Sequence, residues 1–446
     1  MISGDTIAAI ATAPGRGGVA VVRVSGPEAF QVAERLMGRK RGEAESFPLL
    51  SIRKIRPVGS GRDSASPFID EAVVLAFKAP HSYTGEDVVE FQCHGGTVTP
   101  RRVLEACLAA GARLARRGEF TERAFLNGKL DYGQAESVID LVDAKTARAA
   151  DAALEGLAGR RARTCRALYE QALDLSTRIE HSLDVDEGEL PAGFTENLES
   201  EISNLKSQIA DAIRKANEGK ILREGALVVL AGPPNAGKSS LLNALLEENR
   251  AIVSDVPGTT RDSIEAWIDL DGWPIRLVDT AGLRKTGDGI EAEGVKRSED
   301  LIAKADVVVM LRSCDCAQHL NNSTPQHLNL TSKCDLSRGE GLNVSAKTGE
   351  GLGDLKRAIV AKLEAKVSAS DSGDAPEGDI AVYHEALSAL TAADGGLETE
   401  DGRREEDLVL LANAVRGAAE RLGAAVGATY SSDMLDNLFS RFCVGK

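Results

Sequence analysis

The segment LVVLAGPPNAGKSSLLNALL, residues 227–246, restricts what this chain can fold into more than any other stretch. It reads as an apolar β-type run, then G-x-x-x-x-G-K-[ST] with Gly232, Gly237, Lys238 and Ser239, then a helix-forming run. Both flanks are needed: the glycines let backbone N–H groups wrap a phosphate chain, and the helix N-terminus adds positive potential. In such a loop the lysine reaches the terminal phosphates and the serine hydroxyl ligates magnesium. Asn235, Ala236, Gly237, Lys238, Ser239 and Ser240 are therefore the expected phosphate-side residues of a nucleoside triphosphate site, with Ser239 as a Mg2+ ligand.

A strand feeding such a loop belongs to a layered α/β domain. β-type runs recur as ALVVLAG, PIRLVDTAG, ADVVVML, HLNLTSK and LNVSAK, separated by helical segments and the Asp271-Gly272 turn. This rhythm predicts a doubly wound, mainly parallel sheet over residues 221–367. It stops near Val367, where SASDSGDAPEGD reads as a linker, and a helical region follows over 368–446. Upstream, residues 119–220 are Ala-rich, with Leu168, Ala172, Leu175 and Ile179 at helical spacing. Residues 1–118 alternate strand-like AVVRVSG, EAVVLAF and DVVEFQC with helix-like RRVLEACLAAGA. The expected fold class is multidomain, α/β plus all-α: an N-terminal α/β domain, then a helical domain in two halves with the P-loop domain inserted between them.

A chain of 446 residues has room for several such cores. Its formal net charge of −15 excludes a global attraction to phosphate backbones, so any nucleic acid has to be held by local patches. Two candidates are Arg113, Arg116 and Arg117, and the run Arg160, Arg161, Arg163 and Arg166; both patterns also fit solvated helix faces. The seven cysteines, at 93, 107, 165, 314, 316, 334 and 443, form no CxxC pair and no Cys/His group with zinc spacing, which suits a reducing compartment. The apolar runs are too short for a membrane span and the N-terminus lacks a secretory pattern, which gives a cytoplasmic expectation with no membrane partner. Cys443 stands where a prenylation box would have its cysteine, but Gly445 and Lys446 do not suit that chemistry, so no lipid anchor is expected.

The spacing downstream of the P-loop carries the switching chemistry. LVDTAG supplies Asp279, Thr280, Ala281 and Gly282, with Asp279 for the magnesium shell and the Gly282 N–H for a γ-phosphate. SDVPGTTRD supplies Ser254, Asp255, Val256, Pro257, Gly258, Thr259 and Thr260, with Thr260 as the second Mg2+ ligand. SKCD and SAK resemble the guanine-reading elements of GTPases: Ser332, Lys333 and Asp335, then Ser345, Ala346 and Lys347, with Asp335 accepting from the base and the Ala346 N–H meeting its oxygen. Two departures stand out. Ser332 occupies the place where such proteins have Asn, which removes amide functions and is expected to weaken guanine binding by about 1 kcal/mol. Leu283 follows the DxxG glycine where Ras-like switches have a water-orienting Gln, so another group has to do that work; the following loop offers Glu291, and a bound monovalent cation can supply the charge of an arginine finger.

Taken together, GPPNAGKSSLLNALL, DVPGTTRD, DTAGLR and the terminal FCVGK resemble the tRNA-modification GTPases known as the MnmE or TrmE family, and DTIAAIATAPGRGGVAVVRVSG, SYTGEDVVE and GEFTERAFLNGKLDYGQAE extend the likeness over nearly the whole chain. The resemblance implies an N-terminal folate-binding and dimerising domain, and a helical domain interrupted by a Ras-like G domain. It implies K+ bound by Asn235, Ser254, Val256 and Thr259, and Glu291 as the catalytic residue that positions water. It assigns a tetrahydrofolate derivative to Arg23, Glu86, Lys129 and Lys446, and places the Cys443 thiol at that site as a second catalytic group. The implied activity is potassium-dependent GTP hydrolysis that, with the FAD-containing partner MnmG in a heterotetramer, modifies C5 of the wobble uridine of certain tRNAs. A GTP-dependent switch in ribosome assembly is the alternative.

Overall fold

The computed structural model describes residues 4–38, 50–58, 68–183, 194–248, 265–280, 299–313, 326–339, 341–368, 379–392, 404–426, 435 and 438–446. These form two compact units, one of residues 1–139 with 429–446 and one of residues 140–428.

In the first unit, β1 (Ile7–Ile10), β2 (Val19–Ser25), β3 (Leu50–Ile55), β4 (Asp70–Phe77), β5 (Val88–His94) and β6 (Arg113–Leu114) form a sheet of order β3-β4-β5-β2-β1-β6. All neighbours run antiparallel except β1 and β6. The period of two assigns each face. Val22, Val24, Val74, Val89 and Phe91 point to α1 (Ala29–Leu36) and α2 (Thr99–Ala109) and make the main core with Val32, Leu36, Val103 and Cys107. On the other face Ile7 and Ala9 meet Ala115 and Phe120, the latter from α3 (Glu119–Leu126). Arg23 and Glu90, opposite each other in register, alternate with the buried residues and lie on this second face.

The chain's last residues belong to this unit. Leu438, Phe439 and Phe442 pack with Ala135 and Ile139 of α4 (Tyr132–Asp143). Arg117 and Val444 form an antiparallel bridge, and the Arg117 Nε donates to the Phe442 carbonyl at 3.1 Å. Gly445 has φ +105°, and a Cβ there would lie 2.2 Å from the Ile10 carbonyl. Gly445→Ala is therefore expected to lift the tail, at a strain of about 1–2 kcal/mol; hydrogen exchange over 438–446 should quicken roughly tenfold.

The second unit combines helices with a second sheet. α6 (Arg160–Leu183), α7 (Phe194–Glu224), α10 (Asp379–Thr391) and α11 (Arg404–Val426) share one core, to which Leu168, Ala172, Leu175 and Ile179 contribute as their spacing predicts. The sheet has order β12-β11-β10-β7-β9-β8: β7 is Ala226–Ala231, β8 Glu265–Leu270, β9 Trp273–Asp279, β10 Val307–Ser313, β11 His327–Ser332 and β12 Leu342–Val344. Every pairing is parallel except β8 with β9. β7 is buried along its whole length: Ala226, Val228 and Leu230 join a core with Leu241 and Leu245 of α8 (Lys238–Glu248) and Leu355 and Ile359 of α9 (Leu352–Ser368), while Leu227 and Val229 join one with Ala305 and Val308. A strand covered on both faces reads as a continuous apolar run, which is why ALVVLA lacks alternation. Asp271 and Gly272, at φ 50° and 86°, close the two-residue hairpin between β8 and β9. Thr146 caps α5 (Ala147–Leu157) by accepting from the Ala149 N–H, and its own hydroxyl donates to the Gly272 carbonyl at 2.8 Å, tying helix to hairpin.

Candidate functional site

The P-loop follows β7 and ends at the first turn of α8. Gly232, at φ +145°, passes so close to β10 that a Cβ would lie 2.5 Å from the Leu311 carbonyl, and Asn235 holds φ +63°. Lys238 is 5% exposed, and its ammonium donates to the Gly232 and Pro233 carbonyls, each at 2.9 Å. The loop thus keeps a cation at its centre, where a phosphate chain would need one. The Ser239 hydroxyl donates to Asp279 Oδ2 at 2.6 Å, and Asp279 sits buried at the end of β9. A hydroxyl and a carboxylate in contact are the oxygen donors that Mg2+ prefers, so this pair fits the ion. Thr280 turns the other way: its hydroxyl donates to the Leu230 carbonyl at 3.0 Å and fastens β9 to β7.

Beside the P-loop lies a cavity of about 340 Å³ lined by Gly237, Ser240, Ser332, Lys333, Asp335, Ser345, Ala346 and Lys347. The Ser345 hydroxyl, fully buried, donates to Asp335 Oδ1 at 2.7 Å and so fixes the carboxylate that faces the cavity. Lys333 adopts φ +61° at the turn between Ser332 and Asp335. A carboxylate acceptor set beside a phosphate loop is suited to a base with N–H groups on one edge.

In the first unit the Arg23 Nε donates to Glu90 Oε1 at 2.7 Å, and its guanidinium carbon lies 5.4 Å from the centre of the Tyr83 ring and 5.6 Å from that of Phe120. Burial lifts the Tyr83 hydroxyl above its ordinary pKa, against the Thr121 hydrogen bond and the Arg23 charge. Glu86 accepts from the Ser25 hydroxyl at 2.7 Å and from Arg123 at 3.1 Å. Lys129 lays its stem over Gly85, where a Cβ would meet its Cγ at 3.3 Å, and its ammonium donates to the Pro80 carbonyl at 3.2 Å. Lys446 ends the tail that runs against Ile10, with Cys443 exposed three residues before it.

Comparison with known proteins bears on the whole chain. A family model described as the GTP-binding protein TrmE N-terminus matches residues 6–129, and one described as the MnmE helical domain matches residues 133–443. The tRNA modification GTPase MnmE of Symbiobacterium thermophilum is 41% identical over 477 residues, covering 99% of both chains. The chain belongs to the MnmE family of tRNA modification GTPases. Further MnmE proteins, from Xanthomonas campestris pv. campestris strain B100 and Geobacillus thermodenitrificans, are each 39% identical and cover at least 99% of this chain and 99% of their own. Among solved structures, the G domain of T. maritima FeoB is 25% identical, covering 31% of this chain and 98% of its own, with a TM-score of 0.24.

Of the residues expected at the nucleotide site of this MnmE-family chain, two groups are described and one is not. Lys238, Ser239 and Asp279 stand together at the P-loop, and Ser332, Lys333, Asp335, Ser345, Ala346 and Lys347 line one cavity. Ser254, Asp255, Val256, Pro257, Gly258, Thr259, Thr260, Ala281, Gly282, Leu283 and Glu291 lie outside the described residues. Sequence reading missed Arg123, which is 3% exposed and binds Glu86, Asp5 and Glu119 at once. Its only signal was the E-x-x-x-R spacing of Glu119 and Arg123, which ordinarily marks a surface pair. Most residues of the two arginine clusters are engaged locally: Arg113 with Asp5 and Glu119, Arg116 with Glu122, Arg117 with the tail, Arg160 with Glu155, Arg161 with Asp140 and Arg163 with the Ala158 carbonyl.

Proposed function

We propose that this MnmE-family protein is a homodimeric, potassium-dependent GTPase of the cytoplasm that works in a heterotetramer with the FAD-containing MnmG. Its product is an aminomethyl or carboxymethylaminomethyl group at C5 of the wobble uridine, position 34, of certain tRNAs, built with the one-carbon unit of a tetrahydrofolate. The observation that carries the reading is the presence, in one family member, of a P-loop beside a carboxylate-walled cavity and of Arg23 on strand β2, with Glu86 bonded to Ser25 of that strand and Lys129 over the neighbouring Gly85.

In this reading Lys238 binds the β- and γ-phosphates and Ser239 holds Mg2+ together with Thr260. Asn235, Ser254, Val256 and Thr259 hold K+, whose charge replaces an arginine finger, and Glu291 orients the attacking water that Leu283 cannot. Hydrolysis acts as the switch rather than as the bond-forming step. Arg23, Glu86, Lys129 and Lys446 bind the folate, with the Cys443 thiol beside it. The dimer buries the open face of the edge strand β3, where Leu50 and Ile52 are 66% and 65% exposed beside Val73 and Leu75. Among the described residues no helix is long and apolar enough to cross a membrane.

Two titrations test this. 5-Formyl-tetrahydrofolate should bind the wild type, and at least about tenfold more weakly to Arg23→Ala, as expected for loss of a charged hydrogen bond. GTP hydrolysis should be much faster in KCl than in NaCl at equal ionic strength. Equal rates in the two salts, or folate binding indifferent to Arg23, contradict the proposal.

A further inference from the structure

We infer that Ser332 serves the phosphate loop and leaves the imidazole edge of the bound base unread, so that this chain selects guanine without contacting N7. The inference rests on the guanine-nucleotide reading above. Ser332 ends β11 and is 7% exposed. Its hydroxyl lies 2.7 Å from the carbonyl of Ala236 in the P-loop and 2.9 Å from that of Arg312 in β10. Both neighbours can only accept, and a hydroxyl has one proton. That proton is therefore committed to backbone, and toward the cavity the oxygen offers lone pairs alone.

The geometry of the cavity decides which part of the base meets this oxygen. Asp335, three residues beyond Ser332 and lining the same cavity, can take only donors, which guanine carries at N1 and N2. The ribose and phosphates leave the purine from its imidazole ring and must run toward Lys238. With the N1 and N2 edge on Asp335, the imidazole ring and its N7 acceptor fall at the P-loop end, where Ser332 is bonded to Ala236. An acceptor there faces another acceptor. An asparagine has two amide protons and can hold the loop carbonyl and N7 together; the serine keeps the first function and gives up the second.

The experiment compares GDP with 7-deaza-GDP, in which C–H replaces N7, by calorimetry on the full-length chain and two variants. Wild type should bind the two within about twofold. Ser332→Asn should tighten GDP about fivefold, the worth of one hydrogen bond, and leave 7-deaza-GDP unmoved. Ser332→Ala should weaken both ligands by the same factor, since it removes only the loop tether. A wild-type preference for GDP of fivefold or more would overturn the inference, whatever the variants do. Failure of wild type to bind GDP at all is a separate outcome and overturns the guanine-nucleotide reading itself.

Discussion

Lys238→Ala is expected to lower GTP hydrolysis by about 10²–10³-fold, the scale of losing one charged donor aimed at developing negative charge. The side chain is almost fully buried and its ammonium has two loop carbonyls as partners. Truncation removes the cation from the phosphates and leaves the Gly232 and Pro233 carbonyls without that donor. Single-turnover hydrolysis together with GDP affinity separates the two effects. A variant that kept a tenth or more of the wild-type rate would show that the loop's charge is not what the phosphates meet.

The second large effect is on the stability of the first unit. Arg123→Ala should destabilise it by about 3–5 kcal/mol, because Glu86 and Glu119 would lose a buried counter-charge. The cluster also predicts acid sensitivity. Burial works to raise the Glu119 carboxyl, but hydrogen bonds from Arg113, the Arg116 N–H and Arg123 outweigh it and bring the group from its ordinary 4.5 down to about 2. A carboxyl whose folded pKa is depressed stabilises fully above its unfolded value and loses that contribution as pH falls through the folded one. On that basis the contribution, about 3 kcal/mol at neutral pH, should disappear between roughly pH 4.5 and 2. Urea unfolding of wild type and Glu119→Gln across that range checks it: the variant should lack most of the acid slope. Equal slopes, or an Arg123→Ala cost below about 1 kcal/mol, would mean that the cluster is hydrated and weakly coupled.

Much of this architecture was readable because the signals are local. The P-loop fixes strand, turn and helix within twenty residues, and the Leu168, Ala172, Leu175 and Ile179 stripe fixes one helix face. What failed to show in the sequence depends on contacts between distant segments. Leu438, Phe439 and Phe442 look like any short apolar patch, and nothing local says that they join Ala135 and Ile139 rather than the helical core. Arg123 sits in a helix at a position that reads as solvent-facing, and only the arrival of Asp5 and Glu86 from elsewhere makes it a buried hub. Ser332 read simply as a lost amide; the nearby Ala236 carbonyl gives its hydroxyl a partner.

A tRNA-modification role that depends on the G domain is tested by mass spectrometry of nucleosides from bulk tRNA of cells lacking this gene, complemented with wild type or with Lys238→Ala. The C5-substituted wobble uridine should disappear in the deletion and return only with wild type. An unchanged nucleoside profile in the deletion, or full restoration by Lys238→Ala, would contradict a tRNA-modification role that depends on the G domain.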